Sequence, residues 1–587
     1  MSEKKNLVSS AKSLFSEIKT HWNEPKEGFY VPYKEYLSIF FGVGSNYAGS
    51  KVLEYVGFWS SCFLIMHHYN IPYLAFSVIG LINMPLNYIW TLIWWVVCDN
   101  LGFLKKKTER MLYGLYISLV AIGLYMIIGD MSLWFDQSSS FIIALNNLEG
   151  ISAASAFKIL GTHILYSGWV GARNIFYRKK LIPKYGRYKY CLYSDVIPKV
   201  ATLFLIGWLP VYYIPDVDTR VWVANLLFAV YNVFGFGNQL EICSKSISPN
   251  LKERLYVRTY PVKLSHFLNT ILTFAIPISV GLLKDGWADI NMFRFVIPIT
   301  FGTLAILTLF TARSVKERIP QPPLEKKVNI DFWGGIFGVL KNKYLLINTV
   351  VGLIDSLGNG MLPFVTVIYF YTFRLEGLAY SLIVTLISFA GTPPDFFAPV
   401  LLKKFSYKQI MIFYQLTRAL GNALIVCAII FCGENLTLCG TICCVVMFLM
   451  EMTKTIPTTA GHDMGVRIAD YQMYLSGERL ESFTGIFGWF TGPITSFVGL
   501  IIPLMLLKFG FNSNWDILFV DHTRAKIIAI PLIIDIIGFT LMTIPYLFWD
   551  YGGKEQNMVM QVLKRRAEVT ERKAKEAGET VSGGFVG

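Results

Sequence analysis

Asp470–Glu481 reads DYQMYLSGERLE, a polar, charged island between two long apolar runs. An earlier island, Ser248–Arg258, reads SPNLKERLYVR. Both contain Glu-Arg-Leu, as Glu253-Arg254-Leu255 and Glu478-Arg479-Leu480. Each is followed by two apolar runs before its half of the chain ends. The tripeptide alone says little, but its matching place among hydrophobic runs points to two copies of one membrane-embedded unit.

The flanking sequence sets the class. A spanning helix needs about 20 mainly apolar residues, and about fourteen runs meet that measure. They lie near 36–66, 73–98, 111–129, 141–172, 191–211, 219–243, 263–283, 291–312, 345–372, 377–401, 408–432, 437–457, 484–508 and 525–549. Only 16% of the 587 residues are charged, and the mean hydropathy is +0.48. A soluble chain carries roughly 25% charged residues. The fold class expected is all-α and polytopic. Residues 1–35 are polar and precede a long apolar run, so the first helix is expected to serve as an uncleaved signal anchor.

Every second loop carries the lysines and arginines, among them Lys105–Lys107, Arg178–Lys180 and Lys403-Lys404, while HHYNIP at 67–72 and GENLT at 433–437 carry none. That alternation places both termini in the cytoplasm. It also explains the net charge of +14 by topology and argues against a nucleic-acid partner. The organisation expected is a cytosolic segment 1–35, a first bundle 36–312 with an inserted hairpin 73–129, and a cytosolic link 313–344. A second bundle 345–550 and a cytosolic tail 551–587 follow. The link holds Pro320-Gln321-Pro322-Pro323, which breaks any helix, and Ile330–Leu340 can lie as a short amphipathic helix beyond it. The tail opens with a helical pattern of Val559, Leu563 and Ala567. Nine cysteines are scattered through the apolar runs without metal-ligand spacing, and no metal site is expected.

Two six-helix units around a long central link resemble the major facilitator superfamily. Within it the chain is similar to the glycoside–pentoside–hexuronide:cation symporters, the melibiose-permease relatives. The residues that carry the resemblance are Asp470, Tyr474, Ser476-Gly477, Arg479 and Glu481 in the last cytoplasmic loop. Val315-Lys316-Glu317-Arg318, Tyr185-Gly186-Arg187-Tyr188 and Glu253-Arg254 add to it. The resemblance implies an MFS-type carrier of a sugar-like solute coupled to a cation gradient. It also implies a cytoplasmic gate built from Arg187, Glu253, Arg254, Asp395, Asp470, Arg479 and Glu481. The sequence departs from the family where sodium-coupled members carry acidic residues on the second and fourth helices. Ser167, Gly171 and Gly237 or Asn238 stand there instead.

Charge within hydrocarbon costs at least ~2.5–3.5 kcal/mol per residue, so each case needs a partner or a job. Lys51 and Glu54 stand three apart on one face, either as a neutralising pair or as a proton site. Asp355 lies in GLIDSLGNGMLP, where freed carbonyls can join Asp355 and Asn359 around a cation or solute; a packed kink is the plainer reading. Glu451 and Lys454 are again three apart, and Lys454 can snorkel to the interface. Asn238 and Gln239 suit solute hydrogen bonding. Tyr166 and Trp169 lie one turn from the vacated acidic positions and can stack on a sugar, although most such aromatics anchor the membrane interface. Lys158, His163, Arg418 and Asp535 are further intramembrane candidates.

The function expected is secondary active transport of a sugar- or glycoside-like solute by alternating access. Proton or sodium coupling, no cofactor and a monomeric transport unit in the plasma membrane complete the expectation. The alternatives are the same fold carrying a lysolipid or drug, or a non-transporting receptor or scaffold. Enzyme signatures are absent, with no GxxxxGK[ST] loop and no HExxH.

Overall fold

The computed structural model describes residues 15–59, 68–72, 106–147, 151–181, 190–209, 213–234, 251–284, 289–314, 337–358, 404–476, 500–510 and 521–576, with a few short pieces between. Among the described residues 84% are helical and none is in a strand. In chain order the helices are α1 (Tyr33–Trp59), α2 (Lys106–Ile128), α3 (Ser140–Asn146), α4 (Ala153–Lys180), α5 (Tyr190–Trp208), α6 (Val217–Val233) and α7 (Leu251–Gly281). Then come α8 (Ile297–Ser314), α9 (Lys343–Gly358), α10 (Tyr407–Cys432), α11 (Leu436–Ser476), α12 (Ile501–Lys508), α13 (Asp521–Leu547) and α14 (Gly553–Glu576).

Five stretches among the described residues are long and apolar enough to cross a membrane: Glu109–Ile128, Met292–Leu309, Tyr407–Cys432, Leu436–Lys454 and Ala525–Leu547. All five coincide with apolar runs read from the sequence. The total of fourteen lies partly on residues outside the described ones, as does the Ile330–Leu340 surface helix.

Some boundaries differ from the sequence reading, for local reasons. The run 141–172 is two helices, because Ser152 caps α4: its Oγ accepts from the Ser155 amide at 3.2 Å. Asp218 in the first turn of α6 receives both the Ser152 amide at 2.7 Å and its hydroxyl at 2.6 Å, tying the two helix starts together. Asp216 caps α6 through Thr219. Helix α11 does not stop at the expected membrane edge but runs through Pro457 to Ser476, so Asp470 and Tyr474 of the charged island are helical. Similarly, α7 begins at Leu251 and takes in most of the earlier island.

Helix α2 packs along α4 at very short range. A Cβ on Gly123 would lie 2.6 Å from the Leu165 amide nitrogen and 2.7 Å from the Gly161 carbonyl. Small residues that let backbones meet are a device of membrane helix pairs. Gly171, one of the vacated acidic positions, faces Tyr116 of α2, and a Cβ there would come within 2.2 Å of that ring. An aromatic ring therefore stands where a carboxylate would have needed room.

Two apolar cores form. One spans α1, α5, α6, α7 and α8, and continues into Ile425–Ile429 of α10, Cys439 and Cys443 of α11 and Ile527–Leu532 of α13. The other joins the opposite ends of α9, α10, α11 and α13 to Val559 and Leu563 of α14. The tail helix thus packs on a core that it shares with α9, α10, α11 and α13. Arg467 of α11 bonds Gln556, Arg566 donates to the Tyr474 carbonyl at 2.9 Å, and Lys343 reaches Asp550 at 2.9 Å.

Candidate functional site

The first half buries a charged network among α4, α5 and α6. Helix α6 ends at Val233, and Phe234 is already extended (φ −93°, ψ 117°). The last carbonyls of a helix have no partner within it. Here three in succession are taken by side chains. Lys199 of α5 donates to the Tyr231 carbonyl at 2.8 Å, Tyr166 of α4 to the Asn232 carbonyl at 3.4 Å, and Arg173 of α4 to the Val233 carbonyl. Lys199 is only 5% exposed and sits 3.2 Å from the centroid of the Tyr231 ring. Arg173 also pairs with Asp195 at 3.7 Å, and Asp195 accepts from the Tyr177 hydroxyl at 2.9 Å. The positive end groups thus meet the negative end of the α6 dipole.

The second half buries another network, between α10, α13 and α9. Asp535 is 2% exposed, and among the described residues neither of its carboxylate oxygens has a hydrogen-bond partner. Arg418 of α10 and Asp355 of α9 are the charged groups that act on it. The Arg418 guanidinium lies 4.7 Å from the Phe539 ring centroid and donates to the Tyr414 hydroxyl at 2.9 Å. Gln415 and Asn422, three before and four after Arg418, are buried with the Gln415 Oε1 and Asn422 Nδ2 atoms unpartnered. A dry carboxylate without donors is costly to hold ionised, so this locus is suited to taking up a proton or a cation.

The expected residues fall as follows. Tyr166 joins the first network and Asp355 the second. Trp169 is 51% exposed on the outside of α4. Lys454 and Glu451 form a local ion pair at 2.9 Å with Lys454 half-exposed. Lys51, Glu54 and Arg254 lie on α1 and α7, but their side chains are outside the described residues, as are Arg187, Asn238, Gln239, Asn359, Asp395, Arg479 and Glu481 entirely. Asp470 lies on α11, partly buried, and acts on Tyr551 beyond α13.

Glu253 is fully buried and binds the N-terminal segment. It accepts from the Tyr30 and Val31 amides at 3.1 Å, the Tyr36 hydroxyl at 2.9 Å, and the Ser248 hydroxyl. A cavity of about 490 Å³ lies beneath that segment, lined by Glu17, Trp22, Lys26, Tyr33, Tyr36 and Val257 among others. It touches neither charged network, so it is not taken as the solute site.

Arg173, Asp195 and Lys199 were not singled out from the sequence. Asp195 and Lys199 stand four apart within one apolar run, so they share a helix face as the pairs three apart do.

Helices of this length and apolarity define an integral membrane protein, one that holds buried charge among its helices. The family model described as MFS/sugar transport protein matches residues 178–548, more than half of the chain, and the chain belongs to that family. The match begins at the end of α4, so α1, α2 and nearly all of α4 precede it. No curated protein matches the chain.

Proposed function

We propose that the protein carries a sugar-like polar solute across a membrane by alternating access of its two helical bundles, coupled to a proton or cation gradient. The observation that carries this reading is the presence of one dry charged network in each bundle. Hydrocarbon tolerates such groups at a cost that structural roles seldom justify. The division of the apolar core supports rocking. The first bundle shares its core with the Cys432–Leu436 ends of α10 and α11, while the opposite ends of the second bundle pack with α14 instead. Two blocks joined along one end can hinge there.

Within the family we read the chain as similar to the melibiose-permease relatives, on Asp470, Tyr474 and the Ser-Gly-x-Arg-x-Glu that follows. The alternation of basic loops orients both termini to the cytoplasm of a plasma-membrane protein, and the transport unit is one chain. Uptake into proteoliposomes under imposed proton or sodium gradients, across a panel of glycosides, tests the function. Gradient-driven accumulation of at least one glycoside is expected. Thermal stabilisation by lysolipids and by no sugar would replace the solute class, and absence of any gradient-driven flux would overturn the reading.

A further inference from the structure

Helix ends within the span are one place where carriers coordinate inorganic cations, and α6 ends at Val233. Carbonyls released at the end of an interrupted membrane helix carry partial negative charge and no internal partner. The apolar run containing α6 continues to about residue 243 by the length rule, so Val233 lies inside the span. Three successive carbonyls there are occupied by groups of the chain itself, and two of those groups are cationic.

We propose that Lys199 and Arg173 are tethered cations that take the place of a coupling ion at this site, so that transport uses no sodium, lithium or potassium there. This rests on the carrier reading above. The ammonium of Lys199 takes up what this helix end offers a cation: a carbonyl at 2.8 Å, an aromatic face at 3.2 Å and a position only 5% exposed. Arg173 supplies the second charge, and its own balance comes from Asp195 at 3.7 Å, which Tyr177 holds in place. Ordinary capping of a helix end by a basic side chain is the plainer account. That account describes a basic side chain near the end of its own helix. Here two cations and a hydroxyl from two other helices converge on consecutive carbonyls, and Lys199 is 5% exposed.

The test removes a tethered charge and offers a free one. Wild type, K199M, R173M and K199R are purified and reconstituted, and counterflow of radiolabelled methyl glycosides is measured in sodium, lithium, potassium and choline buffers. Wild type is expected to exchange equally in all four. K199M and R173M are expected to lose about tenfold or more in choline, as loss of a charge-assisted bond to a buried group implies. Sodium or lithium should restore much of that loss, and K199R should remain ion-independent. Melting temperature in the same salts gives a transport-free readout. Wild type should be indifferent to sodium, whereas K199M should be destabilised in choline and recover in sodium. Sodium dependence of wild type that persists in Asp535→Asn, in either readout, or absence of cation rescue in both neutral variants, would overturn the proposal. Absent counterflow by wild type with every glycoside would instead count against the carrier reading, and the melting comparison would still decide this one.

Discussion

Replacing Glu253 by alanine is expected to release the N-terminal segment from the first bundle. The carboxylate is fully buried and receives two backbone amides, Tyr30 and Val31, and two hydroxyls, Tyr36 and Ser248. The hydroxyls can rotate toward other acceptors or water, but the amides are fixed by the chain. Each buried donor left without an acceptor costs about 1–3 kcal/mol, so the two amides together are worth about 2–6 kcal/mol. Local opening governs amide exchange in such a segment. A loss of 2 kcal/mol corresponds to about thirtyfold faster exchange, and the upper figure to about twenty-thousandfold. Hydrogen exchange followed by mass spectrometry should show this at Tyr30 and Val31 while α10 and α13 stay protected. Glu253→Gln keeps the shape and one acceptor oxygen, so its effect should be smaller, about 1–2 kcal/mol. Unchanged exchange across residues 28–36 in the alanine variant would refute the reasoning, because it would mean that the segment is held by its apolar contacts alone.

Three further outcomes follow from the packing and charge. Gly123→Ala puts a methyl against α4 backbone rather than against a movable side chain, and should cost about 1–3 kcal/mol of stability, read as a lower melting temperature in detergent. Asp535→Asn keeps the shape of a buried carboxyl that is costly to hold ionised and has no donors among the described residues, so melting should hold or rise; a fall of several degrees would mean that it stands as a charge balancing Arg418. Docking of α14 should weaken in acid. Desolvation pushes the Asp550 carboxyl up, but bonds from Lys343 and Tyr344 outweigh it and hold it below the usual range. A lowered folded value means that the contribution is complete above the ordinary carboxylate value of about 4 and is lost as pH falls through the lower folded one. Because Lys343 and Asp550 are largely exposed, solvent screening keeps the effect small. Trp549, 5.0 Å from Tyr344, reports it by fluorescence, and Asp550→Asn should remove the response.

The spans were the legible part of the fold. A window of twenty apolar residues reports its own burial in lipid whatever its neighbours are, and five such windows recur in the structure at the places read. Helix ends were less legible where polarity and helicity part company. The stretch TTAGHDMGVRIADYQMY reads as a loop after Pro457, yet it is helix. Arg467 there reaches Tyr407 and Gln556, and Gln472 bonds Asn342 at 3.1 Å. Those partners lie about 60 residues or more away in sequence, beyond the reach of any local pattern. The tail shows the same division, since the spacing of Val559 and Leu563 announced an apolar stripe but not the surface that covers it.

The charged networks divide in the same way. Asp355 was visible as a carboxylate among glycines in an apolar run. Arg173 was hidden because Arg178, Lys179 and Lys180 follow it closely and the whole group passed for a cytoplasmic loop. Helix α4 runs on to Lys180, which sets Arg173 two turns inside, about 10 Å from that end at 1.5 Å per residue. Lys199 was hidden for a deeper reason. A search for its counter-charge looks for a carboxylate, and the nearest in sequence, Asp195, is engaged by Arg173 and Tyr177. What answers Lys199 is the carbonyl of Tyr231. Every residue has a carbonyl, so the partner leaves no mark in composition or spacing. Only the ending of α6 at Val233 makes that carbonyl available, and an interrupted helix inside an unbroken apolar run is a feature that hydropathy averages away.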